Sequence, residues 1–425
     1  MLRLPNPLRI LIVSQNYAPE PTSVGPFTTG LAEHFVEAGH DTVVATTFPH
    51  YPQWRWQDGT RRLRLVEMIN GVQVRRLRVI LPQRPGSTAW RLVFDLSLGM
   101  GMMLNTFGVA TPDVIICGSP PVETAFVGIV LGKMWRRPFV ILAQDMPVQA
   151  ALAVGMLKPG RAARAALAFE GALYRRAARV ITISERFFNP LLDLGVHRSA
   201  ISHIPNWIDT YALRPQKPLA SMRARLGAGA DDFLIIHAGN MGQKQALQHV
   251  VDAAASFPDN SRARVALVGH GPQVAKLTAE IARRSPLRIC LLPLMPAEEV
   301  PAMLAAADAL LVSQRAQVVD AVLPSKTLSY MASGRPIIAA VNRDSATADL
   351  VRAADCGIVV APEDAEALAL GIASLQADPN MCARMGNNGR RYAVERFSKT
   401  TVLSQWDALL AEVVSKRDAE PLRSG

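Results

Sequence analysis

Two lysines in the second half of the chain stand where an apolar run ends and a helix is predicted to begin. Lys326 follows Pro324 and Ser325 in the first helical turn, and Lys244 lies in the glycine-bearing loop 239–245. A helix N-terminus offers free N–H groups and a partial positive charge, to which a lysine adds a full charge. Either lysine alone would fit a solvated loop equally well. Two such loops in one half favour a site for a diphosphate.

The first half has two polar segments at the ends of predicted strands. The loop after the first strand contains Glu20 and Gly25, and a glycine there lets backbone approach a ligand closely. An ordinary strand–helix turn is the alternative for this loop. Asp145 follows the apolar run 139–142, where it can cap a helix, contact a substrate, or do both.

Other kinds of chemistry find little support in the sequence. The segment 269–272 begins Gly269-His270-Gly271 but lacks the third glycine of a dinucleotide fingerprint, so we interpret His270 as a turn residue. The four cysteines lie far apart without a C-x-x-C pair, which argues against a zinc site or a disulfide framework and fits a reducing cytoplasm. No Ser-His-Asp or metal-binding constellation emerges. We therefore predict neither a metal nor a cofactor.

In both halves of the chain, predicted apolar strands alternate with predicted amphipathic helices, and these elements must position the residues named above. This pattern is typical of parallel sheets with crossover helices. A chain of 425 residues, 49% of them hydrophobic, is too long for one core and predicts two domains. Open parallel sheets bind ligands at the carboxyl ends of their strands, so we expect a ligand in a cleft between two sheets. The predicted strands are 9–14, 42–47, 113–117, 139–142 and 179–183, then 233–237, 263–268, 287–292, 309–312, 336–341 and 357–360.

The proline-rich, polar segment 204–218 is the predicted linker. It separates a first domain, 1–203, from a second domain, 219–395, and we expect a C-terminal helix within 396–425 to pack back toward the first domain. The N-terminal residues lack the pattern of a signal peptide. No uninterrupted apolar run reaches the ~18 residues of a membrane-spanning helix. We therefore expect a cytoplasmic protein, peripheral at most on the inner face of the plasma membrane.

The net charge of +11 is concentrated in the first half of the chain. Residues 1–190 hold 21 Lys and Arg against 12 Asp and Glu, a balance of +9, which leaves +2 for the remainder. A basic face can serve nucleic acid, an anionic membrane or a phosphorylated substrate. The region lacks interleaved aromatic residues and any nucleic-acid motif, so nucleic acid is not expected as a partner.

The Asn70-Gly71 pair between two alternating runs, 63–68 and 72–79, predicts a β-hairpin. Arginines on this hairpin share one parity within each strand, so they predict either a basic binding face or a solvated strand face. These arginines are Arg62, Arg64, Arg76 and Arg78.

The next segment, 89–110, is mostly apolar and predicts a helix. A core helix is the favoured interpretation because buried apolar helices are common. A helix lying in a membrane interface, with the nearby arginines at anionic lipid headgroups, is the alternative.

Short motifs in a consistent order along nearly the whole chain carry a family resemblance. The chain resembles the family 4 retaining glycosyltransferases with the GT-B fold, particularly the bacterial exopolysaccharide and colanic-acid type. The motifs are Asn16-Tyr17-Ala18-Pro19-Glu20 with Gly25, Gln144-Asp145, Ile204-Pro205-Asn206-Trp207-Ile208-Asp209, Gly239-Asn240-Met241-Gly242-Gln243-Lys244-Gln245, Gly269-His270-Gly271-Pro272 and Pro324-Ser325-Lys326.

This resemblance implies two Rossmann-like parallel-sheet domains facing across a cleft. It implies a nucleoside-diphosphate sugar (UDP or GDP) bound mainly by the second domain, and transfer without a metal and with retention. The expected acceptor is a lipid-linked or exopolysaccharide precursor, with an anionic membrane surface as a further partner of the basic first domain. On the resemblance, Lys244 and Lys326 contact the diphosphate and Asp145 joins them as a catalytic residue.

The resemblance also assigns binding residues. Glu20 and Asn206 are expected at the acceptor or in the cleft. The expected donor-binding residues are Gly25, Asn240, Gly242, Gln245, Gly269, Pro324, Ser325 and Ser329.

The chain departs from the family pattern at several acidic positions. Ala321 and Ser329 stand where two glutamates are usual, and the segment 146–149 lacks two acids found in close relatives. Ser329 can hydrogen-bond a ribose hydroxyl without a charge. These departures keep open a non-catalytic nucleotide-sugar-binding scaffold. A nucleotide-sugar epimerase is a further alternative, although that chemistry needs carboxylates in the cleft.

Overall fold

A computed structural model describes residues 7–20, 24–50, 54–56, 59, 61–83, 88–153, 157–258, 260–284, 288–318 and 325–419. The chain divides into two compact units, one formed by Met1–Asn206 with Val402–Gly425 and the other by Trp207–Thr401. The chain thus leaves the first unit once and returns to it for its last helix. Each unit is built on a largely parallel sheet with crossover helices, which confirms the predicted fold class.

In the described part of the first unit, eight strands form one sheet. They are β1 (Arg9–Val13), β2 (Asp41–Thr47), β3 (Arg64–Ile69), β4 (Val72–Leu77), β5 (Val114–Ser119), β6 (Phe139–Ala143), β7 (Arg179–Thr182) and β8 (Ile201–His203). Their order is β3-β4-β2-β1-β5-β6-β7-β8, and only β3 and β4 pair antiparallel. The predicted strands and hairpin are confirmed. The sequence prediction missed β8, because three residues are too few for an apolar run to stand out.

The helices of the first unit follow its strands and end with the last helix of the chain. They are α1 (Gly25–Glu37), α2 (Thr88–Asn105), α3 (Val122–Trp135), α4 (Pro147–Ala153), α5 (Arg161–Tyr174), α6 (Phe188–Asp193) and α15 (Lys399–Ala419). The side chain of Trp406 on α15 is 2% exposed. His34 on α1 and Asp407 on α15 form a hydrogen bond of 2.8 Å between Nε2 and Oδ1. Arg179 also pairs with Glu412 on α15.

The described part of the second unit has a six-stranded, fully parallel sheet in the order β11-β10-β9-β12-β13-β14. These strands are β9 (Phe233–Asn240), β10 (Ala263–His270), β11 (Ile289–Leu292), β12 (Ala309–Ser313), β13 (Ile337–Ala340) and β14 (Gly357–Val360). Its helices are α7 (Ala220–Arg225), α8 (Gln248–Ala255), α9 (Val274–Arg283), α10 (Val300–Ala306), α11 (Ser325–Ser333), α12 (Ala346–Ala353), α13 (Ala365–Ala377) and α14 (Pro379–Phe397). The strand order reverses between β9 and β12, which is where ligands bind in open α/β sheets.

Two hydrophobic cores cover the two faces of this second sheet. Leu234 and Ile236 belong to one core and Ile235 to the other, as the alternation of side chains along a strand requires. A strand that is buried on both faces reads as a continuous apolar run, which is why the sequence predicted these strands well.

The hairpin arginines do not form one basic face, so that prediction is wrong. Residues that lie directly opposite each other in an antiparallel pair share a face, and here Arg64 opposes Leu77 while Leu65 opposes Arg76. Arg64 and Arg76 therefore point to opposite faces. The Arg76 side chain is buried, and its guanidinium donates to the carboxylate of Glu67 and the Thr47 carbonyl. Arg76 is thus a structural arginine that joins the hairpin to the sheet.

Helix α2 has features of both interpretations that the sequence left open. Phe94, Leu98 and Met102 are fully buried, as expected of a core helix. Leu96 and Met100, on another face of the same helix, are 71% and 67% exposed. Among the described residues, no helix combines the length and the apolar character needed to cross a bilayer.

We expect Arg76→Gln to lower the free energy of unfolding by about 2–4 kcal/mol, because it leaves buried carbonyl groups and Glu67 without their guanidinium partner. Urea denaturation measures this change. Arg64→Gln on the same hairpin is the matched control, since Arg64 is exposed and makes one 3.3 Å hydrogen bond to the Phe107 carbonyl. Its effect should stay within about 0.5 kcal/mol. Equal effects of both changes would contradict the structural role of Arg76.

Candidate functional site

The carboxyl ends of β9 and β10 approach each other at two glycines. Gly239 pairs with Gly269 in the parallel register, and a Cβ atom on Gly269 would lie 1.8 Å from the Gly239 carbonyl oxygen. No side chain fits at Gly269. The Met241 amide then donates to the His270 carbonyl at 2.7 Å, which continues the contact beyond the strands. These glycines allow the loop after β9 to begin tightly at the strand-order reversal.

Lys326 lies in the first turn of α11, and its side chain reaches the end of β9. Its Nζ is 3.4 Å from His237 Nε2, and a Cβ atom on Gly239 would lie 3.4 Å from the same Nζ. His237 is fully buried, and its Nδ1 lies 3.2 Å from the Leu311 carbonyl oxygen. A carbonyl only accepts, so Nδ1 donates and Nε2 is left to accept from the ammonium group.

The electrostatics of this pair favour an anion. Burial, and after it the charge of Lys326, lowers the pKa of His237 to about 3, so the imidazole stays neutral. Burial also lowers the pKa of Lys326 to about 8. Among the described residues, Lys326 forms no ion pair with a carboxylate, and a buried ammonium without a countercharge loses much of its hydration energy. A phosphate group would supply the missing negative charge.

The loop after β9 is fixed by backbone contacts that leave its polar side chains available. Lys244 and Gln245 lie in a single 3-10 turn, Gln243–Gln245, and the Gln245 side chain accepts from the Gly242 amide at 3.1 Å. The Lys244 carbonyl accepts from the Arg315 amide at 2.8 Å, which ties the loop to the end of β12. The side chains of Asn240 and Lys244 are exposed. The loop therefore presents both side chains to solvent, and its first residue, Gly239, lies against the amine of Lys326.

The structure describes only part of the predicted segment around α11. Ser325 is exposed at the start of the helix, whereas Pro324 and Ala321 lie outside the described residues. The hydroxyl of Ser329 donates to the Ser325 carbonyl at 3.4 Å, so it is engaged within its own helix. Its role at a ribose hydroxyl stays a prediction.

In the first unit, Glu20 and Gly25 hold the loop after β1. The Glu20 side chain is 4% exposed, and its two carboxylate oxygens accept from the Asn16 side chain at 2.7 Å and from the His50 amide at 2.8 Å. A Cβ atom on Gly25 would lie 2.8 Å from the Glu20 carbonyl oxygen. Glu20 thus joins the loops that follow β1 and β2. The predicted contact of Glu20 with an acceptor stays a prediction.

Asp145 and Asn206 lie near each other through Gln144 at the end of β6. The amides of Gln144 and Asn206 form a reciprocal pair of hydrogen bonds, at 3.1 and 2.9 Å. Asp145 is half-buried, and its Oδ1 accepts from the Met146 amide at 2.8 Å, just before α4. The structure thus brings two of the predicted site residues of the first unit to one sheet edge.

Sequence models of two protein families match the chain, one in each half. The glycosyl transferase 4-like domain matches residues 22–207, and glycosyl transferases group 1 matches residues 220–392. The chain belongs to the GT-B glycosyltransferases. The predicted family resemblance is therefore confirmed.

The relatives of this glycosyltransferase include enzymes named for exopolysaccharide and lipid glycosylation. It is 29% identical over 410 residues to an Escherichia coli protein named as the colanic acid biosynthesis glycosyl transferase WcaI, covering 94% of this chain and 98% of the relative. It is 27% identical over 231 residues to the GDP-mannose-dependent alpha-(1-6)-phosphatidylinositol monomannoside mannosyltransferase of Mycolicibacterium smegmatis, covering 52% of this chain and 57% of that protein.

Solved structures share the fold of this glycosyltransferase at low sequence identity. Anabaena HepE in complex with UDP and glucose has a TM-score of 0.68 at 19% identity, over 95% of this chain and 99% of that one. WaaG, a glycosyltransferase involved in lipopolysaccharide biosynthesis, has a TM-score of 0.63 at 14% identity, over 96% and 99% of the two chains.

Sequence reasoning missed His237, which contacts the predicted lysine of this glycosyltransferase. The available signal was a histidine inside the otherwise apolar run 233–238, where a polar side chain needs a partner. Lys326 lies 89 residues further along the chain, so no local pattern could join the two.

Sequence reasoning also missed a buried carboxyl group on α5. Glu170 is fully buried, and its Oε1 accepts from the Tyr174 hydroxyl at 3.3 Å, which in turn lies 3.2 Å from the Ser119 hydroxyl. Burial raises the pKa of Glu170 to about 7, and the negative charge of Asp145 raises it as well, against hydrogen bonds from Tyr174 and Val148 that lower it. The raised pKa of Glu170 is thus mainly an effect of burial, to which the charge of Asp145, a predicted catalytic residue, adds.

Stability should depend on pH through Glu170. A carboxyl group with a raised pKa in the folded state holds a proton that the unfolded chain has released, so the free energy of unfolding falls as the pH rises from about 4.5 to about 7. Glu170→Gln cannot ionise, so at pH 8 it should be more stable than the wild type by on the order of 3 kcal/mol. Thermal unfolding at pH 5 and pH 8 measures the difference, and Glu395→Gln on α14, an exposed site, is the control. A pH-independent difference would show that Glu170 is ionised throughout.

Lys326→Met should remove an anion site without damaging the fold. At pH 7 we expect binding of inorganic pyrophosphate, measured by calorimetry, to weaken about 10- to 100-fold, because one charge-assisted contact is lost. The variant should also unfold less readily than the wild type without ligand, because a buried charge is gone. Wild-type binding should weaken as the pH rises through about 8, where the amine loses its proton.

The control for this change is Lys276→Met on α9, an exposed lysine of the same unit. It should bind pyrophosphate as the wild type does. Unchanged binding in Lys326→Met, or an equal loss in the control, would argue against a phosphate at Lys326.

Proposed function

We propose that this glycosyltransferase moves a sugar from a nucleoside-diphosphate sugar, UDP- or GDP-linked, to a lipid-linked or exopolysaccharide precursor. The observation that carries the proposal is the half-buried ammonium of Lys326, which lies against the end of β9 at the strand-order reversal. Its pKa of about 8 keeps it mostly charged at neutral pH. A diphosphate is the anion that this position and the loop 239–245 suit best.

The names of relatives and structural neighbours support this donor class. HepE is described in complexes with UDP and with UDP-glucose, and the related mannosyltransferase is named as GDP-mannose-dependent. The name of the Escherichia coli relative supports an exopolysaccharide precursor as the acceptor.

In the proposed reaction, an acceptor hydroxyl attacks the anomeric carbon from the face that the diphosphate leaves, so the configuration is retained. The bond between the sugar and the diphosphate breaks, and the hydroxyl proton passes to the departing phosphate oxygen. Lys326, Lys244 and the N-terminus of α11 stabilise the negative charge that develops there, and we propose that they serve in place of a divalent metal. Asp145 acts on the acceptor side, and Ser329 binds a ribose hydroxyl.

The proposed lipid-linked acceptor would be bound at the membrane surface. An acceptor with a lipid anchor is presented at a bilayer surface, and the balance of +9 in residues 1–190 favours an anionic one. We therefore propose peripheral association of the first unit with the inner face of the plasma membrane.

Transfer from UDP- and GDP-sugars should fall by about 10²- to 10³-fold in both Lys326→Ala and Lys244→Ala, because each lysine stabilises the leaving group. Release of nucleoside diphosphate measures the rate. Lys276→Ala, on the exposed surface of the same unit, should keep full activity.

Full activity in both lysine variants would refute the site assignment. Binding of a nucleotide sugar without transfer to any acceptor would instead favour a non-catalytic scaffold, the function that the missing glutamate at Ser329 would explain.

A further inference from the structure

Helix α2 presents an apolar stripe to solvent on the face away from its buried residues. We define the α2 stripe as Leu92, Leu96, Met100 and Leu104, which are 59%, 71%, 67% and 55% exposed. Residues four apart lie on one helix face, so these side chains form one continuous row. Contiguous exposed apolar surface of this kind marks a place where a partner or a membrane binds.

A cavity of about 580 Å³ lies between α2, α3 and α5, and Leu96, Met100 and Leu104 of the α2 stripe form part of its wall. Its lining is almost entirely apolar and includes Gly99 and Met103 of α2, Phe126 of α3 and Phe169 of α5. Two half-buried carboxylates, Asp95 and Glu123, are its charged lining residues. The rings of Phe126 and Phe169 are 49% and 54% exposed. The volume is that of a ligand pocket, and the lining suits a hydrocarbon.

Basic residues lie on the helices that line this apolar region and on the neighbouring strand β3. Arg64 donates to the carbonyl of Phe107, just beyond the end of α2, at 3.3 Å. Arg161 and Arg164 are exposed on α5 ahead of Phe169, and Lys133 is exposed in the last turn of α3. An apolar region flanked by lysine and arginine complements a hydrocarbon chain that carries an anionic headgroup.

We propose that the cavity between α2, α3 and α5 binds one hydrocarbon chain of a phosphate-bearing membrane lipid. The α2 stripe then lies in the membrane interface, and the flanking basic residues meet the headgroups. A second copy of this chain is a poorer occupant, because it would bring the same positive charge to the contact. The assignment adds a binding site outside the sugar-transfer residues, and it holds whether or not the proposed transfer takes place.

The cavity makes affinity depend on chain length. Each methylene buried from water should raise affinity about fourfold, so the affinity for alkyl phosphates should increase from butyl to octyl to dodecyl phosphate. Isothermal titration calorimetry below the micelle concentration measures this series. Equal affinities along the series would overturn the proposal, because they would show that the protein binds the phosphate group and not the alkyl chain.

A cavity-filling change separates the pocket from the surface around it. A Cβ atom on Gly99 would lie 3.7 Å from the Glu123 Cβ, which is ordinary contact, and replacing a helical glycine favours the helix. Gly99→Leu should therefore fold and fill part of the cavity, and dodecyl phosphate should bind at least tenfold more weakly. Binding equal to that of the wild type would place the chain elsewhere and overturn the assignment.

A surface change tests the membrane contact of the α2 stripe. Leu96→Asp should reduce sedimentation with phosphatidylglycerol vesicles by tenfold or more, because it puts a charge in the interface. Leu370→Asp is the matched control, since Leu370 is 64% exposed on α13 of the other unit, and it should sediment as the wild type does. Analytical ultracentrifugation of the same proteins should find no dimer. A wild-type dimer that Leu96→Asp dissociates would assign the stripe to a second copy of the chain.

Discussion

The half-buried ammonium group of Lys326 lies against the uncharged ring of His237, and the rest of the candidate site follows from that contact. The lysine needs a helix that begins at the edge of the sheet, and α11 provides it. It needs a neighbour that can accept a hydrogen bond, and the orientation of His237 toward the Leu311 carbonyl leaves one nitrogen free to do so. It also needs backbone without side chains at the end of β9, which Gly239 provides.

A charged lysine without a countercharge is unfavourable in the free protein, and the proposed diphosphate would relieve this. Burial disfavours the charged lysine, and no carboxylate among the described residues pairs with it. A carboxylate partner would stabilise the free protein more, but it would repel a diphosphate from the same position. The described part of α11 accordingly carries no acidic residue that could pair with Lys326.

The sequence predicted the sheets well and the side-chain environments less well. The strands of the second sheet are apolar runs because both faces of that sheet are covered, and such runs are readily recognised in a sequence. Helix α8 begins only at Gln248, because Ala246, just after the loop 239–245, has a φ of 47° and stands outside the helix. A local pattern does not report such a backbone reversal.

The errors at the hairpin and near the site have one physical cause. Within one strand, residues an even number of positions apart share a face. Whether the arginines of two strands lie on the same face depends on the register between the strands, which the local sequence does not determine. The contacts of Lys326 with His237 and of Tyr174 with Ser119 likewise join residues far apart in the chain. The sequence therefore predicted Lys326, Lys244 and Asp145 as site residues that follow apolar runs. It could not predict which side chains surround them.

The return of the chain to its first unit has a consequence for synthesis on the ribosome. Residues 207–401 form a continuous unit, whereas the first unit needs residues from 402 onward, including the buried Trp406 and Leu410 on α15. The first half of the chain therefore leaves the ribosome with an apolar surface that stays uncovered until the last helix has been synthesised. The second unit, in contrast, contains all the residues of its own core. The first unit can therefore complete its core only after the whole second unit has been synthesised, unlike a domain built from one continuous segment. A nascent or truncated first half is the form of this protein most exposed to chaperones and to aggregation.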